Sequence, residues 1–315
     1  MKQITNQLIM IQPKHFGYNL ETALDNYYQK KEAIISKNKI KKAAKLEFDQ
    51  LIHKMKEKRI NIKVIKDKEK LITTDSIFPN NWISLHEDGL LILYPMYSKN
   101  RRKERRTDII EDYLKKQFLI NETIDLTYWE DREKYLEGTG SMVFDRKNRL
   151  CFAGISKRTS KKVLKELCDK INYKLFTFNA YQTYKNKRVP IYHTNVMMSI
   201  GEKFALICLQ SIDDKKEKKQ LIDLLIKTKK EIIEVSESQI ENFAANILEV
   251  KNFNEKNYII MSTRAFKCLD DNQKNKLEIN AKILHSNLDT IEKIGGGSAR
   301  CMIAENFLQK KNKKD

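Results

Sequence analysis

Ile294-Gly295-Gly296-Gly297-Ser298-Ala299-Arg300-Cys301-Met302 holds three of the chain's nine glycines in a row. Consecutive residues without a Cβ free the backbone for positive φ and let another segment or a ligand approach the main chain closely. The run ends in Arg-Cys, and residues 302–307 read as the last buried strand or helix. A thiol on a tight turn, with a cation beside it and free N–H groups behind it, has the setting of a thiolate nucleophile. A cysteine after a turn is as readily a small buried hydrophobe. What decides between the two lies upstream.

Working back from Cys301, one order of elements recurs. Residues 7–10 are a short apolar start, 20–28 begin a helix, and 34–58 continue it with Ala43, Ala44, Leu46, Phe48, Leu51 and Ile52 at helical spacing. Strand 61–65 then leads to an apolar hairpin, 77–86 and 89–95, turned by Glu-Asp-Gly, and to a helix at 108–118. Strand 123–127 leads to 136–145, a Lys-Asn turn, strand 149–153 and a helix at 160–170. Strand 173–178 leads to 191–200, a Gly-Glu turn, strand 204–208 and a helix at 216–228. Strand 231–235 leads to a helix at 238–242, then 247–250, strand 258–262 and a helix at 270–280. Strand 282–286 returns to the glycine run. This strand–hairpin–helix unit of about 50–60 residues is seen roughly five times, the mark of a repeat architecture. Asn81, Glu137, His193 and Cys301 fall early in successive units. A radial arrangement gathers them about one centre, whereas linear stacking would spread them apart.

Composition bounds the class. The 315 residues are 41% apolar, enough for a core, and no apolar run reaches the ~20 residues of a membrane span. The N-terminus, Met1-Lys2-Gln3-Ile4-Thr5, reads as no secretory signal. Five dispersed cysteines without a CxxC pair argue against a disulfide framework or a zinc site, and for a reducing, cytoplasmic setting. Cys151, Cys168, Cys208 and Cys268 lie in apolar patterns and read as core thiols, and only His193 of the five histidines sits in a motif. The net charge of +19 comes mostly from scattered lysines, densest at 37–45, 101–106, 215–219 and the 310–314 tail. It predicts non-specific polyanion binding at low salt but carries no recognition motif for a specific nucleic acid.

Phe78-Pro79-Asn80-Asn81, Glu137-Gly138, Gly154-Ile155-Ser156-Lys157-Arg158-Thr159, His193-Thr194-Asn195 and Gly295–Cys301 follow one another in an order that resembles the guanidino-group-modifying enzymes. These are the arginine deiminases, dimethylarginine hydrolases and amidinotransferases. The opening Met10-Ile11-Gln12-Pro13, Phe16-Gly17, Asn19 and Glu21-Thr22-Ala23 look closer still to a citrulline-hydrolysing branch. The resemblance spans nearly the whole chain and implies a single domain over 1–315. Its fold would be a five-bladed α/β propeller (pentein) of pseudo-fivefold symmetry with the active site on the axis. It implies Cys301 as nucleophile, His193 as acid/base, and Glu137 as the acid that bonds substrate nitrogens and orients His193. Arg158 would hold the substrate α-carboxylate. Arg101 matches a second such arginine, with adjacent Arg102 leaving the register open. No metal or cofactor is implied. The partner is a small-molecule amino acid rather than a membrane, and a homo-oligomer is compatible with the sequence.

Two departures bear on the substrate. Positions usually held by guanidinium-clamping aspartates read Asn81 and Asn195. A carboxylate only accepts hydrogen bonds, whereas an amide also donates. Losing two carboxylates costs a bound cation about 1.5–3 kcal/mol per charge-assisted bond, and a neutral ureido group gains a donor for its carbonyl. The sequence therefore points first to hydrolysis of L-citrulline to L-ornithine, ammonia and carbon dioxide. Arginine deiminase or dimethylarginine hydrolase is the enzymatic alternative, and a small-molecule-binding propeller the non-enzymatic one.

Overall fold

The computed structural model describes residues 1–31 and 36–312. Its strands begin with β1 (Leu8–Gln12), β2 (Ile62–Lys66), β3 (Ile83–Leu85), β4 (Leu90–Leu93), β5 (Glu122–Asp125), β6 (Val143–Asp145), β7 (Leu150–Gly154) and β8 (Lys174–Phe178). They continue with β9 (Tyr181–Tyr184), β10 (Lys187–Pro190), β11 (Met198–Ile200), β12 (Phe204–Ile207) and β13 (Glu231–Glu234). The last four are β14 (Leu248–Lys251), β15 (Asn257–Ser262), β16 (Lys282–Ser286) and β17 (Ala304–Glu305). Among the described residues these form five three-stranded sheets and one two-stranded ribbon, β9–β10.

Four sheets share one topology: an antiparallel hairpin whose second strand pairs in parallel with a third. They are β3-β4-β5, β6-β7-β8, β11-β12-β13 and β14-β15-β16. The fifth makes the same pattern from both ends of the chain. Here β17 is antiparallel to β1, with Leu8 opposite Glu305, and β1 is parallel to β2. First strands of different sheets lie against one another, β17 by β3, β6 by β11 and β11 by β14.

Parallel neighbours cannot be joined by a tight turn, so each needs a crossover. The helices Lys37–Glu57, Lys161–Ile171, Lys215–Lys227 and Asp271–Asn280 supply it in four sheets, and a helical run over 107–117 in the other. The unit therefore runs hairpin, helix, third strand. The strand that sequence order sets before each hairpin pairs instead with the hairpin behind it. In Lys161–Ile171 the buried face is Val163, Leu164, Leu167, Cys168 and Ile171, the 3–4 spacing of an amphipathic helix, closed by Asn172 at φ 56°. In Lys37–Glu57, Ile40, Ala44, Phe48, Leu51, Ile52 and Met55 are buried. Ile34 and Ile35, counted in that helix from the sequence, lie outside the described residues, as do the last residues of the Lys-rich tail.

Three local readings differ from the structure. Residues 20–28 form one 3₁₀ turn, Thr22–Leu24, and further turns rather than a helix. Leu20 and Leu24 are exposed, so the apolar spacing has no core to face. The segment's polar side chains are bonded elsewhere: Asn19 to Asp75, Asn26 to Gly296 O and Gln29 to Ile294 O. The ribbon β9–β10 is hidden in the sequence because its turn, Lys185-Asn186, takes positive φ at both positions without a glycine. A short helix at Thr263–Cys268 is also additional, capped by the Ser262 side chain. Among the described residues no helix is long and apolar enough to cross a membrane.

Candidate active site

Every sheet's first strand is entered through a tight turn, and the polar residues of interest sit on these turns. Pro79–Asn81 precedes β3, Gly138–Ser141 precedes β6 with Glu137 at its start, and Thr194–Val196 precedes β11 with His193 at its start. Residues 243–246 turn before β14, and 298–302 turn before β17. The turns touch: Gly138–Ser141 lies against both Pro79–Asn81 and Thr194–Val196. Gly140 is required there, because a Cβ would meet Asn81 Nδ2 at 2.3 Å and the His193 ring at 2.8 Å. Gly296 is required for another reason, φ +64°.

Cys301 lines a small, partly open cavity with His193, Tyr192, Asn81, Arg101 and Arg158, to which Thr22, Asn26 and the glycine run also contribute. Its free space of about 20 Å³ is close to that of one water molecule. The structure thus brings Cys301, His193, Asn81, Arg158 and Arg101 to one cavity, with Glu137 and Asn195 immediately behind. Sequence register left Arg101 and Arg102 open; Arg101 faces the cavity, while Arg102 bonds Met96 O and pairs with Glu130.

His193 Nε2 is 2.8 Å from Glu137 Oε2. The other Glu137 oxygen accepts the Tyr97 N–H at 3.0 Å, and Arg158 Nη1 stands 3.5 Å from Oε2. Both carboxylate oxygens are thus held by protein donors, which suits Glu137 to orienting His193. Burial opposes its charge, but Arg158, His193 and Arg101 prevail and hold the carboxyl well below its usual range. Burial lowers the His193 pKa, with Glu137 pulling the other way and Arg158 and Arg101 adding to the fall.

Cys301 is 3% exposed, and burial raises its thiol pKa. Against burial work the Ser298 backbone, the Asn246 side chain, the Arg300 charge and the Asn195 side chain. Arg300, read from sequence as a cation beside the thiol, turns its guanidinium to Ile303 O at 3.0 Å and Glu305 Oε2 at 2.8 Å. Two amides adjoin the sulfur: Asn246, with Nδ2 at 3.2 Å and Oδ1 at 3.6 Å, and Asn195, with Nδ2 at 3.6 Å and Oδ1 at 3.8 Å. Asn80 Nδ2 donates to Cys301 O, fixing the turn from below.

The two arginines carry internal carboxylates. Arg158 forks onto Asp25, with Nε donating to Oδ2 at 3.0 Å and Nη2 to Oδ1, and Nη2 also reaches Thr22 O at 2.9 Å. Arg101 forks onto Glu104 at 3.0 and 2.9 Å and donates Nη1 to Asn81 Oδ1 at 3.0 Å. Arg101 thereby fixes which end of the Asn81 amide is oxygen. Asp75, absent from the motifs, lines the same cavity: its Oδ2 accepts from Asn19 and its Oδ1 is buried with no partner. Buried polar atoms are normally satisfied, so this oxygen stands out, and burial raises the Asp75 pKa against the pull of Arg101 and Asn19.

The chain matches the family model described as N,N dimethylarginine dimethylhydrolase, eukaryotic, over residues 12–308. Among curated proteins none matches. Solved structures do. The apo structure of ArgZ, an arginine dihydrolase from the ornithine–ammonia cycle in Cyanobacteria, is 18% identical with a TM-score of 0.71, over 95% of this chain and 40% of that one. The chain thus spans less than half the length of that protein. The ArgZ N-terminal domain bound to product is 20% identical with a TM-score of 0.70, over 98% of this chain and 100% of that one. A dimethylarginine dimethylaminohydrolase variant, as an adduct with S-methyl-L-thiocitrulline, is 14% identical with a TM-score of 0.60, over 96% and 99%. These likenesses show a shared α/β fold. By the family match over 12–308, the chain belongs to the N,N dimethylarginine dimethylhydrolase family, within the guanidino-group-modifying pentein superfamily.

Proposed function

We propose that the chain is a cysteine-dependent hydrolase acting on the guanidino group of an arginine-type amino acid, free or methylated. The observation that carries this is the meeting of Cys301, a Glu137-oriented His193 and two buried arginines round one cavity. Cys301 Sγ attacks the planar guanidino carbon, and ammonia or a methylated amine departs with a proton from His193. Water deprotonated by His193 then displaces the thiolate, leaving a ureido product. Nε2 is held by Glu137, so Nδ1 exchanges the protons. The α-carboxylate takes the Arg158 fork in place of Asp25, and the α-ammonium meets the unpaired oxygen of Asp75. The cavity as it stands admits about one water, so an amino-acid substrate has to widen it, with Thr22 and Asn26 among the side chains that line it. On this reading residues 1–315 are one catalytic domain, and the five sheets are five blades about an axis on which the turns meet. The substrate is its small-molecule partner, and the cytoplasm remains the expected setting.

Hydrolysis of citrulline is the second reading, favoured by one observation: the side chains beside the thiol are neutral amides, Asn195 and Asn246, and Asn81 directs its oxygen to Arg101. Nδ2 of Asn81 is then its donor end, with only long bonds of 3.4 Å to Asn80 Oδ1 and Glu137 O, for which a ureido carbonyl would compete. The test is product analysis with L-arginine, Nω,Nω-dimethyl-L-arginine and L-citrulline, each against Cys301→Ala. Citrulline formed from either guanidino substrate and lost in the variant supports the first reading. Ornithine and ammonia from citrulline, with no turnover of the others, supports the second. Turnover retained by Cys301→Ala overturns both.

A further inference from the structure

The fourth sheet is the one whose entry turn carries no motif residue, yet a buried polar side chain stands there. Asn246 is 0% exposed and immediately precedes the strand region of β14, as Asn81, Asn195 and Cys301 precede β3, β11 and β17. Each of its polar atoms is engaged. Nδ2 donates to Asn195 O at 2.9 Å and to Cys301 Sγ at 3.2 Å, and Oδ1 accepts the Arg300 N–H at 3.1 Å. The acceptor Asn195 O and the donor Arg300 N–H fix the amide orientation, so the sulfur lies nearer the Asn246 N–H, at 3.2 Å, than its oxygen, to which the thiol donates at 3.6 Å. Its backbone N–H bonds Phe243 O at 2.9 Å, and Phe243 holds φ 60° under the ring of Tyr28, 5.0 Å away.

We propose that Asn246 is a further catalytic residue, a fixed N–H donor that stabilises Cys301 as its thiolate and aims the sulfur through the preceding Arg300 amide. A thiol sulfur accepts hydrogen bonds weakly and an anionic sulfur strongly, so a donor locked at 3.2 Å favours the reactive form. Burial pushes the other way, and the charge of Arg300, whose guanidinium turns to Glu305, offsets it only in part. The charged and titratable groups sharing the cavity with the sulfur are His193, Tyr192, Arg158, Arg101 and Asp75.

The inference rests on Cys301 as the reacting atom but is tested without substrate. Cys301 ionisation is followed by thiolate ultraviolet absorbance and by the pH profile of iodoacetamide labelling at the Cys301 peptide, with Cys301→Ala as blank. Asn246→Ala is expected to raise the apparent thiol pKa by about one unit, a roughly tenfold loss of thiolate near neutrality. Asn246→Asp, nearly isosteric but accepting where the amide donates, shifts it further in the same direction, and Asn246→Ser recovers part of it. An unchanged thiol pKa in folded Asn246→Ala or Asn246→Asp, even with activity lost, reduces Asn246 to packing and overturns the proposal. Should Asn246→Ala not fold, the Asp and Ser variants decide by the same readout. Hydrolysis surviving in Cys301→Ala sinks the proposed function instead, and leaves the ionisation result standing.

Discussion

His193 Nε2 and Glu137 Oε2 lie 2.8 Å apart in a site where both residues are buried, although 56 positions separate them in the chain. Glu137 favours the imidazolium, so replacing it removes both an orienting bond and a stabilising charge. Glu137→Gln is expected to lower kcat about 10²–10⁴-fold with a smaller effect on KM. The limb of the pH–rate profile that reports His193 moves to lower pH. An unmoved limb would mean that Glu137 acts only in packing.

Arg158→Lys keeps the charge and removes the fork that grips Asp25 and Thr22 O. KM for an amino-acid substrate should rise about tenfold or more, with kcat changed less, because carboxylate binding and not bond cleavage is lost. The 19–29 segment loses an anchor at the same time. Limited trypsin digestion at Lys30 or Lys31 should therefore be faster than in the wild type.

Asn81→Asp and Asn195→Asp introduce carboxylates at or beside the cavity. Each is expected to move the ratio of kcat/KM for arginine over citrulline upward by roughly 10–100-fold, the worth of one charge-assisted hydrogen bond. Steady-state assays on both substrates check it. A ratio that stays level shows that these two amides do not set the choice between guanidino and ureido groups.

Gly140→Ala is expected to damage the site from behind. Its Cβ falls 2.3 Å from Asn81 Nδ2 and 2.8 Å from the His193 ring, distances that force both side chains to shift. Such overpacking costs about 1–3 kcal/mol of stability, read as a lower Tm, and activity should fall further than Tm alone explains.

Glu292 gives a pH signature of stability. It is buried beneath the glycine run, bonded by Ser298 Oγ at 2.5 Å and paired with Arg264 at 3.2 Å. Burial lifts its pKa from 4.5 to about 7 against the pull of Ser262, Ser298 and Arg264. The folded chain therefore favours the protonated carboxyl. That contribution is fully present below 4.5 and is lost as pH rises through about 7. Glu292→Gln should show a flatter Tm-against-pH curve than the wild type across that window. Parallel curves would place the titration elsewhere.

The strands, hairpins and crossover helices were legible because each is set by residues close together in the chain. The apolar run 90–93 and the 3–4 spacing of Val163, Leu164, Leu167 and Cys168 are local facts that tertiary packing then used. Cys301, His193, Glu137 and the arginines were named by motif order, and the structure places Cys301, His193, Arg101 and Arg158 at one cavity with Glu137 bonded to His193 behind it. The repeat also contained the place of Asn246, one turn before the fourth hairpin, but an asparagine on a turn has no local feature that sets it apart.

What only the tertiary structure decided are relationships between distant positions. Asn246 and Cys301 are 55 residues apart, Asn195 and Cys301 106, and Asp25 and Arg158 133. Residues 20–28 carry helical spacing yet fold as turns, because Asn26, Asp25 and the following Gln29 bond to Gly296, Arg158 and Ile294. Arg101 rather than Arg102 reaches the cavity because Glu104 and Asn81 receive its fork there. The unpaired oxygen of Asp75 exists only once Asn19 and Arg101 close around its other side. Local sequence sets elements through short-range sterics and periodic burial, while side-chain charge and hydrogen-bond capacity are committed only when the packed sheets bring their turns together.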